Sequence, residues 1–203
     1  MAPIPEIRLR LTMQPEQVRE FFLLLQQGVT MTTRVGCSLR KLLCEQFGLD
    51  RDYVTGRITT LFLDNKPVDD LDATIVRDGA TVALSGAMPG LVGATMRRGG
   101  FYAAFRGGIS HTESGSSSTD RIGTVRVKLF NLLLAELGPD FLRRGVVIPA
   151  AELATFLGSK TDPFWRGCSE AVLNDTPVGP EFLFSGEPFI DVENVRLTVQ
   201  FRG

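Results

Sequence analysis

The sequence has little histidine, little cysteine and no cysteine spacing typical of a metal site. His111 is the only histidine, and the three cysteines, Cys37, Cys44 and Cys168, are an odd number. This pattern favours reduced thiols over a disulfide framework, and it predicts neither a metal nor a cofactor. His111 lies in a stretch rich in serine and glycine, where it lacks the rigid partner that orients a catalytic histidine.

Long apolar segments and a strong net charge are also missing. Apolar runs such as Phe21–Leu25 fall far short of the about 20 residues that a membrane span requires. The formal net charge is −1, so the whole chain offers no electrostatic attraction for nucleic acid. No basic region followed by an apolar one begins the chain. We therefore expect a cytoplasmic protein without nucleic-acid or membrane partners.

What the sequence does contain is an internal duplication, in which four landmarks recur in the same order. Each copy opens with alternating apolar and basic residues, passes a Gly-Val step, repeats a turn around Pro-Val and closes on an alternating strand. The corresponding segments are Ile7–Leu11 and Val125–Leu129, Gly28-Val29 and Gly145-Val146, Leu63–Val68 and Leu173–Val178, and Thr81–Leu84 and Arg196–Val199.

The periodicity within each copy predicts the order strand, helix, strand, helix, strand, turn, strand. In the first copy, Pro15 begins an amphipathic helix that ends at Gly28, and Ser38 caps a second helix that ends at Gly48. The predicted strands of that copy are 6–13, 29–35, 58–63 and 80–87. In the second copy we predict strands at 125–130, 146–149, 170–173 and 195–201, with helices at 132–142 and 151–157.

Several of these stretches resemble a known family. Val125–Phe130 followed by Leu134–Gly138 is similar to the opening of the small subunit of molybdopterin synthase. Leu63–Val68 with Asp78–Leu84 resembles the second half of the same family. That family, with the thiamine-pathway sulfur carriers, consists of β-grasp, or ubiquitin-like, proteins.

The resemblance implies an α+β chain of two tandem β-grasp domains, each a small mixed sheet wrapped around a principal helix. We expect the first domain at residues 1–88 and the second at 122–203. Residues 89–121 between them would form a basic, aromatic, glycine-rich extension and a flexible linker rich in serine and glycine.

The resemblance also implies a function. Active members of the family end in Gly-Gly, whose carboxylate is adenylated by an activating enzyme and converted to a thiocarboxylate. The expected protein is a non-enzymatic carrier-like adaptor that binds protein partners, such as an activating enzyme or a cofactor-biosynthesis subunit. Its pathway would be sulfur transfer, molybdenum or tungsten cofactor assembly, or thiamine assembly. This chain departs from the pattern because it ends in the single glycine Gly203, close behind the last predicted strand.

The segment 89–108 is the strongest candidate for a partner-binding site. It carries three arginines and no acidic residue, and its second Gly-Gly pair follows Arg106, which resembles the Arg-Gly-Gly end of ubiquitin-like modifiers. Arginine and aromatic side chains together are typical anchors of protein interfaces. The candidate residues are Arg97, Arg98, Gly99, Gly100, Phe101, Tyr102, Phe105, Arg106, Gly107 and Gly108, together with Gly203 of the other end.

Three functions remain open at this point. The first is an adaptor that docks through the exposed sheet face of one copy, with the extension adding contacts. The second is a sulfur carrier that is cleaved after Gly108, and the third is a structural homo-oligomer in which residues 89–106 pack between chains. In a further alternative for the extension, its glycines are only hinges, and Phe101, Tyr102 and Phe105 pack against a domain.

Two other patterns do not predict sites. The Gly-Gly pairs are not a phosphate-binding loop, because no Gly-Lys-Ser/Thr follows them. Asp69, Asp70 and Asp72 lack the spacing and the glycine of a calcium loop, so we expect a solvated acidic turn. Since no nucleophile, base and orienting group occur together, we predict no enzyme.

Overall fold

The computed structural model of the chain describes residues 7–109 and 121–202. These residues form two compact units. Unit one contains the described residues of Met1–Leu24 and Leu137–Gly203, and unit two contains those of Leu25–Glu136. Unit two is continuous in sequence, whereas unit one takes one strand from before unit two and its other strands from after it.

Ten strands and eight α-helices occur in the described ranges. The strands are β1 (Ile7–Met13), β2 (Val29–Val35), β3 (Thr60–Leu63), β4 (Lys66–Pro67), β5 (Ala80–Ser85), β6 (Arg121–Phe130), β7 (Val146–Pro149), β8 (Cys168–Leu173), β9 (Thr176–Pro177) and β10 (Asn194–Phe201). The helices are α1 (Phe22–Gln27), α2 (Leu39–Lys41), α3 (Arg51–Gly56), α4 (Gly90–Met96), α5 (Leu132–Arg144), α6 (Ala150–Gly158), α7 (Asp162–Arg166) and α8 (Pro180–Phe184). A π-helical segment at Leu42–Gln46 continues α2, and 3-10 helices occur at Pro15–Phe21, Phe101–Ile109 and Glu187–Phe189.

Unit two has a mixed sheet of five strands in the order β4-β3-β5-β6-β2. Strands β5 and β6 are parallel, with Val82 opposite Val127. The other neighbours are antiparallel, and Leu63 of β3 lies opposite Val82. Strand β6 is therefore paired on both sides, with β5 and with β2.

Unit one repeats this arrangement in the order β9-β8-β1-β10-β7. Strands β1 and β10 are parallel, with Leu9 opposite Leu197, and the other neighbours are antiparallel. Leu173 of β8 lies opposite Leu9, as Leu63 lies opposite Val82 in unit two. The predicted α+β class is confirmed, since each unit combines a mixed sheet with helices.

The turn that recurs in the sequence has the same backbone conformation and the same type of hydrogen bond in both units. Asp64 and Asn65 have φ of +48° and +66°, and their counterparts Asn174 and Asp175 have +47° and +67°. Positive φ at both central residues is typical of a tight hairpin turn between twisted strands. The backbone N–H of Thr81 donates to Asp64 Oδ1 at 2.7 Å, and that of Arg8 donates to Asn174 Oδ1 at 2.9 Å.

The two units do not contain the strands that the predicted domains would contain. The predicted domains are residues 1–88 and 122–203, with the extension and linker at 89–121. The place beside β3 in unit two belongs to β5, which closes the first sequence copy. The corresponding place beside β8 in unit one belongs to β1, which opens that copy. Likewise, β6 in unit two corresponds to β10 in unit one. Because all four strands alternate apolar with polar residues, any of them suits either place.

Helices cover one face of each sheet. In unit two, Ser38 Oγ accepts from the Lys41 N–H at 3.3 Å, as predicted for a helix cap, and the helix buries Leu39 and Leu42. Burial of each such side chain contributes about 1.5–3 kcal/mol. In unit one, the ring of the fully buried Phe21 lies 5.4 Å from that of Phe156 and 5.8 Å from that of Phe164. None of the helices in the described ranges is long and apolar enough to cross a membrane.

Candidate functional site

The face of unit two's sheet that points away from these helices carries a row of half-buried side chains. Val82 and Leu84 are buried, so Ala83 between them points outward. Ala83 lies opposite Phe62 on β3 and opposite Lys128 on β6. Phe130 lies two residues beyond Lys128 on the same face. The outward face is apolar around Ala83, whereas Lys128 and, two residues before it on the same strand, Arg126 carry positive charge.

A groove of about 480 Å³ opens on this face. Its volume is within the usual range of binding clefts, about 300–1,000 Å³. The amide of Asn131 donates to Ser85 Oγ at 2.9 Å and also to the carbonyl of Ala87, which fixes the chain where it leaves β5. We call this the unit-two groove; it is lined by Phe62, Asn65, Ala83, Ser85, Met88, Pro89, Lys128, Phe130 and Asn131.

The candidate segment after Met88 is folded onto unit two. It forms α4 and the 3-10 helix Phe101–Ile109, where the sequence predicts no regular element. The Arg98 N–H donates to the Thr59 carbonyl at 2.8 Å. Nη2 of Arg98 donates to the carbonyls of Val54 at 2.8 Å and Thr55 at 3.1 Å, so it satisfies carbonyls at the end of α3. Burial lowers the pKa of the Arg98 guanidinium.

Arg106 provides the second attachment of the extension. Its side chain is 1% exposed, and its Nη2 lies 2.6 Å from Asp69 Oδ1. The same carboxylate oxygen accepts from the Gly99 N–H at 3.2 Å, and Arg106 Nη2 also donates to the Arg97 carbonyl at 3.4 Å. Arg98 and Arg106 therefore hold the extension in place, whereas the Arg97 side chain is exposed.

The aromatic side chains of the extension face solvent. Phe101 is 87% exposed, Phe105 is 76% exposed and Tyr102 is 42% exposed. The ring of Tyr102 lies 5.2 Å from that of Phe101 and 6.0 Å from that of Phe105. The alternative in which these rings pack against a domain is wrong for Phe101 and Phe105. We call these three residues the aromatic ridge.

The acidic turn is occupied by contacts within unit two. Asp70 Oδ1 accepts from the N–H groups of Asp72 and Ala73, and Asp72 Oδ1 lies 2.6 Å from Arg40 Nε. That hydrogen bond lowers the pKa of Asp72. No cluster of three metal-ligating side chains is present within residues 7–109 and 121–202.

A second charged cluster links α3 to α5. The Glu136 carboxylate accepts from Arg57 Nε at 3.0 Å and from Tyr53 Oη at 2.7 Å. The Arg57 hydrogen bond, followed by that of Tyr53, lowers the pKa of Glu136. Burial and then the Glu136 hydrogen bond raise the pKa of Tyr53. The carboxylate thus accepts hydrogen bonds from two residues, Arg57 and Tyr53, and joins the C-terminal end of α3 to α5.

Most of the predicted site residues lie in one segment of the sequence, which belongs to unit two. Residues 97–106 form a continuous segment of unit two in which Arg106 is buried and Arg97, Phe101 and Phe105 are exposed, and Gly107 and Gly108 lie in the 3-10 helix that ends at Ile109. Gly203 and His111 lie outside the described residues.

Sequence reasoning missed the unit-two groove. The alternation of side chains along β6 could have indicated part of it. Val127 and Leu129 are apolar and face one side of the strand, and Phe130, which is also apolar, faces the other side. The signal could not identify Phe62 or Ala83 as its neighbours, because strand order is not encoded in the period of a single strand.

Comparisons with protein-family models, with curated proteins and with solved structures gave no match.

Proposed function

We propose that this chain is a non-enzymatic docking protein built from two β-grasp-like units, and that it binds a protein partner through unit two. Each unit has a small mixed sheet around one parallel strand pair, with helices on one face. This supports the β-grasp interpretation. A role in sulfur transfer or cofactor assembly rests on the family resemblance of the sequence.

The observation that carries the proposal is the surface chemistry of unit two. Soluble domains rarely expose both an apolar groove and a separate aromatic ridge. Such exposed apolar surfaces usually mark sites where another molecule binds. Aromatic side chains such as Phe101 and Phe105 supply large contact area at an interface. Arg98 and Arg106 hold the ridge in a fixed position, which lowers the entropy cost of binding.

Release of a carrier after Gly108 has less support than docking. Such a cleavage would fall between β5 and β6 and would separate residues 1–108 from β6. Strand β6 pairs with β2 from Val127 to Arg121 and with β5 from Val125 to Phe130, so the released fragment would lack a central strand. An edge left open in this way is prone to aggregate.

The test compares affinity-tagged full-length variants in extracts of the native host. The ridge variant carries Phe101→Ser with Phe105→Ser, and the groove variant carries Phe130→Glu. Ile190→Ser is the matched control, because Ile190 is an apolar side chain of unit one that is 66% exposed. Any partner retained by the parent chain is then purified, and its affinity for each variant is measured by calorimetry.

We expect the ridge or groove variant to lose at least about tenfold in affinity, corresponding to about 1.4 kcal/mol, while the control binds as the parent does. Equal affinity of all variants would reject unit two as the docking site. Light scattering distinguishes a second copy of this chain from a different partner. Intact mass spectrometry of the native protein would favour the carrier if it found a fragment ending at Gly108 with one oxygen replaced by sulfur.

A further inference from the structure

The outward face of unit one's sheet has a different chemistry from that of unit two. Leu9 and Leu11 are buried, so Arg8 and Arg10 point out from β1 on the opposite face. Arg196 lies opposite Arg8 in the parallel register. A groove of about 220 Å³ lies here, which we call the arginine groove; its polar lining consists of Arg8, Arg10, Asp175, Arg196, Thr198 and Gln200.

The fold does not require arginine at positions 8 and 10 of β1. Arg8 and Arg196 lie on neighbouring strands about 4.8 Å apart, where directly opposed like charges destabilise a sheet. In unit two, Thr81 stands at the position of Arg8 and Ala83 at that of Arg10, while Arg126 stands at that of Arg196, and the same strand arrangement forms. Charge repulsion that destabilises a sheet and that the fold does not require is typical of a functional surface.

Carboxylates within the groove neutralise only part of its charge. Arg8 Nη2 lies 3.1 Å from Asp175 Oδ2, and the two side chains are 66% and 70% exposed, so this ion pair is weak. Arg10 has no ion-pair partner within residues 7–109 and 121–202. Arg10 therefore presents a guanidinium without an ion pair on this face, in a protein whose overall charge is −1.

We propose that the arginine groove binds an acidic, extended peptide segment of a protein partner. Arg8 and Arg10 are two residues apart on one strand, so their Cα atoms are about 6.6 Å apart. An extended peptide presents alternate side chains at the same spacing, so two of its carboxylates can each meet a guanidinium. The hydroxyl of Thr198, which lies opposite Arg10 on β10, can hydrogen-bond the peptide backbone.

An acidic peptide fits this face better than nucleic acid does. Asp175 lies in the groove, and Glu170, whose Oε2 accepts from Thr12 Oγ1 at 3.3 Å, lies beside it. These carboxylates would repel a continuous chain of phosphates, which carries a charge at every nucleotide. A peptide can place neutral residues opposite them.

The test uses fluorescence anisotropy with the full-length chain and a labelled peptide of alternating glutamate and threonine. The variant is Arg10→Glu, and the matched control is Arg19→Glu, an exposed arginine on the 3-10 helix Pro15–Phe21 with the same change in charge. We expect the parent to bind and to lose affinity with added salt. Arg10→Glu should bind at least about tenfold more weakly, and Arg19→Glu within about twofold of the parent.

Three outcomes would overturn the proposal. The first is equal binding by Arg10→Glu and the parent, and the second is an equal loss in both charge variants, which would indicate a response to net charge alone. The third is tighter binding of oligothymidylate than of the peptide, which would identify a nucleic-acid surface. The variant Arg10→Gln and urea unfolding of each variant check that a loss of binding does not reflect a loss of folding. Because Phe130→Glu should leave peptide binding intact, failure of the arginine-groove proposal can be distinguished from failure of the unit-two groove proposal.

Discussion

Arg106 is buried beside Asp69, with its Nη2 2.6 Å from Asp69 Oδ1. Nε and Nη1 of Arg106 have no hydrogen-bond partner among the described residues, so this carboxylate provides the main compensation for the buried charge. A buried cation that loses its partner is strongly unfavourable. The position of the aromatic ridge therefore depends on this ion pair as well as on the hydrogen bonds of Arg98.

Replacing Asp69→Ala should destabilise the extension. We expect a loss of about 1–3 kcal/mol in the free energy of unfolding, moderated because the Asp69 side chain is 44% exposed and water can reach it. Trypsin should also cleave after Arg97 more rapidly than in the parent. Asp52→Ala, at an exposed carboxylate, is the control for lost charge. Unchanged stability and unchanged proteolysis would contradict the assigned role of Asp69.

Gly93 is required where α4 approaches the preceding chain. A Cβ at this position would lie 1.9 Å from the Met88 carbonyl oxygen, which no side-chain movement can relieve. Gly93→Ala should therefore displace α4, at a cost of about 1–3 kcal/mol, and expose the extension to protease. Gly56→Ala is the matched control, because a Cβ there meets nothing within 4 Å and should leave thermal unfolding unchanged or slightly improved. Similar behaviour of the two variants would argue against this packing.

The hairpin between β3 and β4 depends on Asn65, whose φ is +66°. A β-branched residue is strained in this conformation, so Asn65→Val should lower the free energy of unfolding by about 1–2 kcal/mol. Asn65→Gly should be neutral or stabilising, because glycine adopts positive φ without strain. Urea denaturation measures the free energy of unfolding of both variants. Equal stability of Asn65→Val and Asn65→Gly would contradict the assigned turn.

Stability at acid pH should depend on Asp78. Its Oδ1 accepts from the Thr124 N–H at 2.8 Å and from Thr124 Oγ1 at 3.1 Å, and these bonds lower the pKa of Asp78. A carboxyl with a lowered folded pKa stabilises the fold above its unfolded pKa of about 3.9, and this contribution is lost as pH falls through the folded pKa. Urea unfolding between about pH 2 and pH 6 should therefore show a weaker pH dependence in Asp78→Asn than in the parent. An identical pH profile would mean that Asp78 contributes nothing.

Local structure was predictable where short-range signals were strong. Ser38 begins a helix because its hydroxyl caps it, and Val146–Pro149 is a strand with the predicted bounds. The extension was not predictable as helix, since its glycines carry no helical period and Arg98 and Arg106 find their partners at residues 54–55 and 69. The candidate residues were found by composition, whereas the groove beside them required knowledge of strand neighbours.

The sequence by itself determined the alternating strands, the helix capped by Ser38 and the repeated turn landmark, because each depends on residues close together in the chain. Only the tertiary structure decided that β1 joins β8 and β10, and that β6 joins β2 and β5. The alternation of apolar and basic residues in Ile7–Leu11 and in Val125–Leu129 indicates which side chains are buried. It does not indicate which other strand pairs with each of them. Pairing depends on packing between residues far apart in sequence, and that packing placed Phe62 beside Ala83 on the outward face of unit two and Arg8 beside Arg196 on that of unit one.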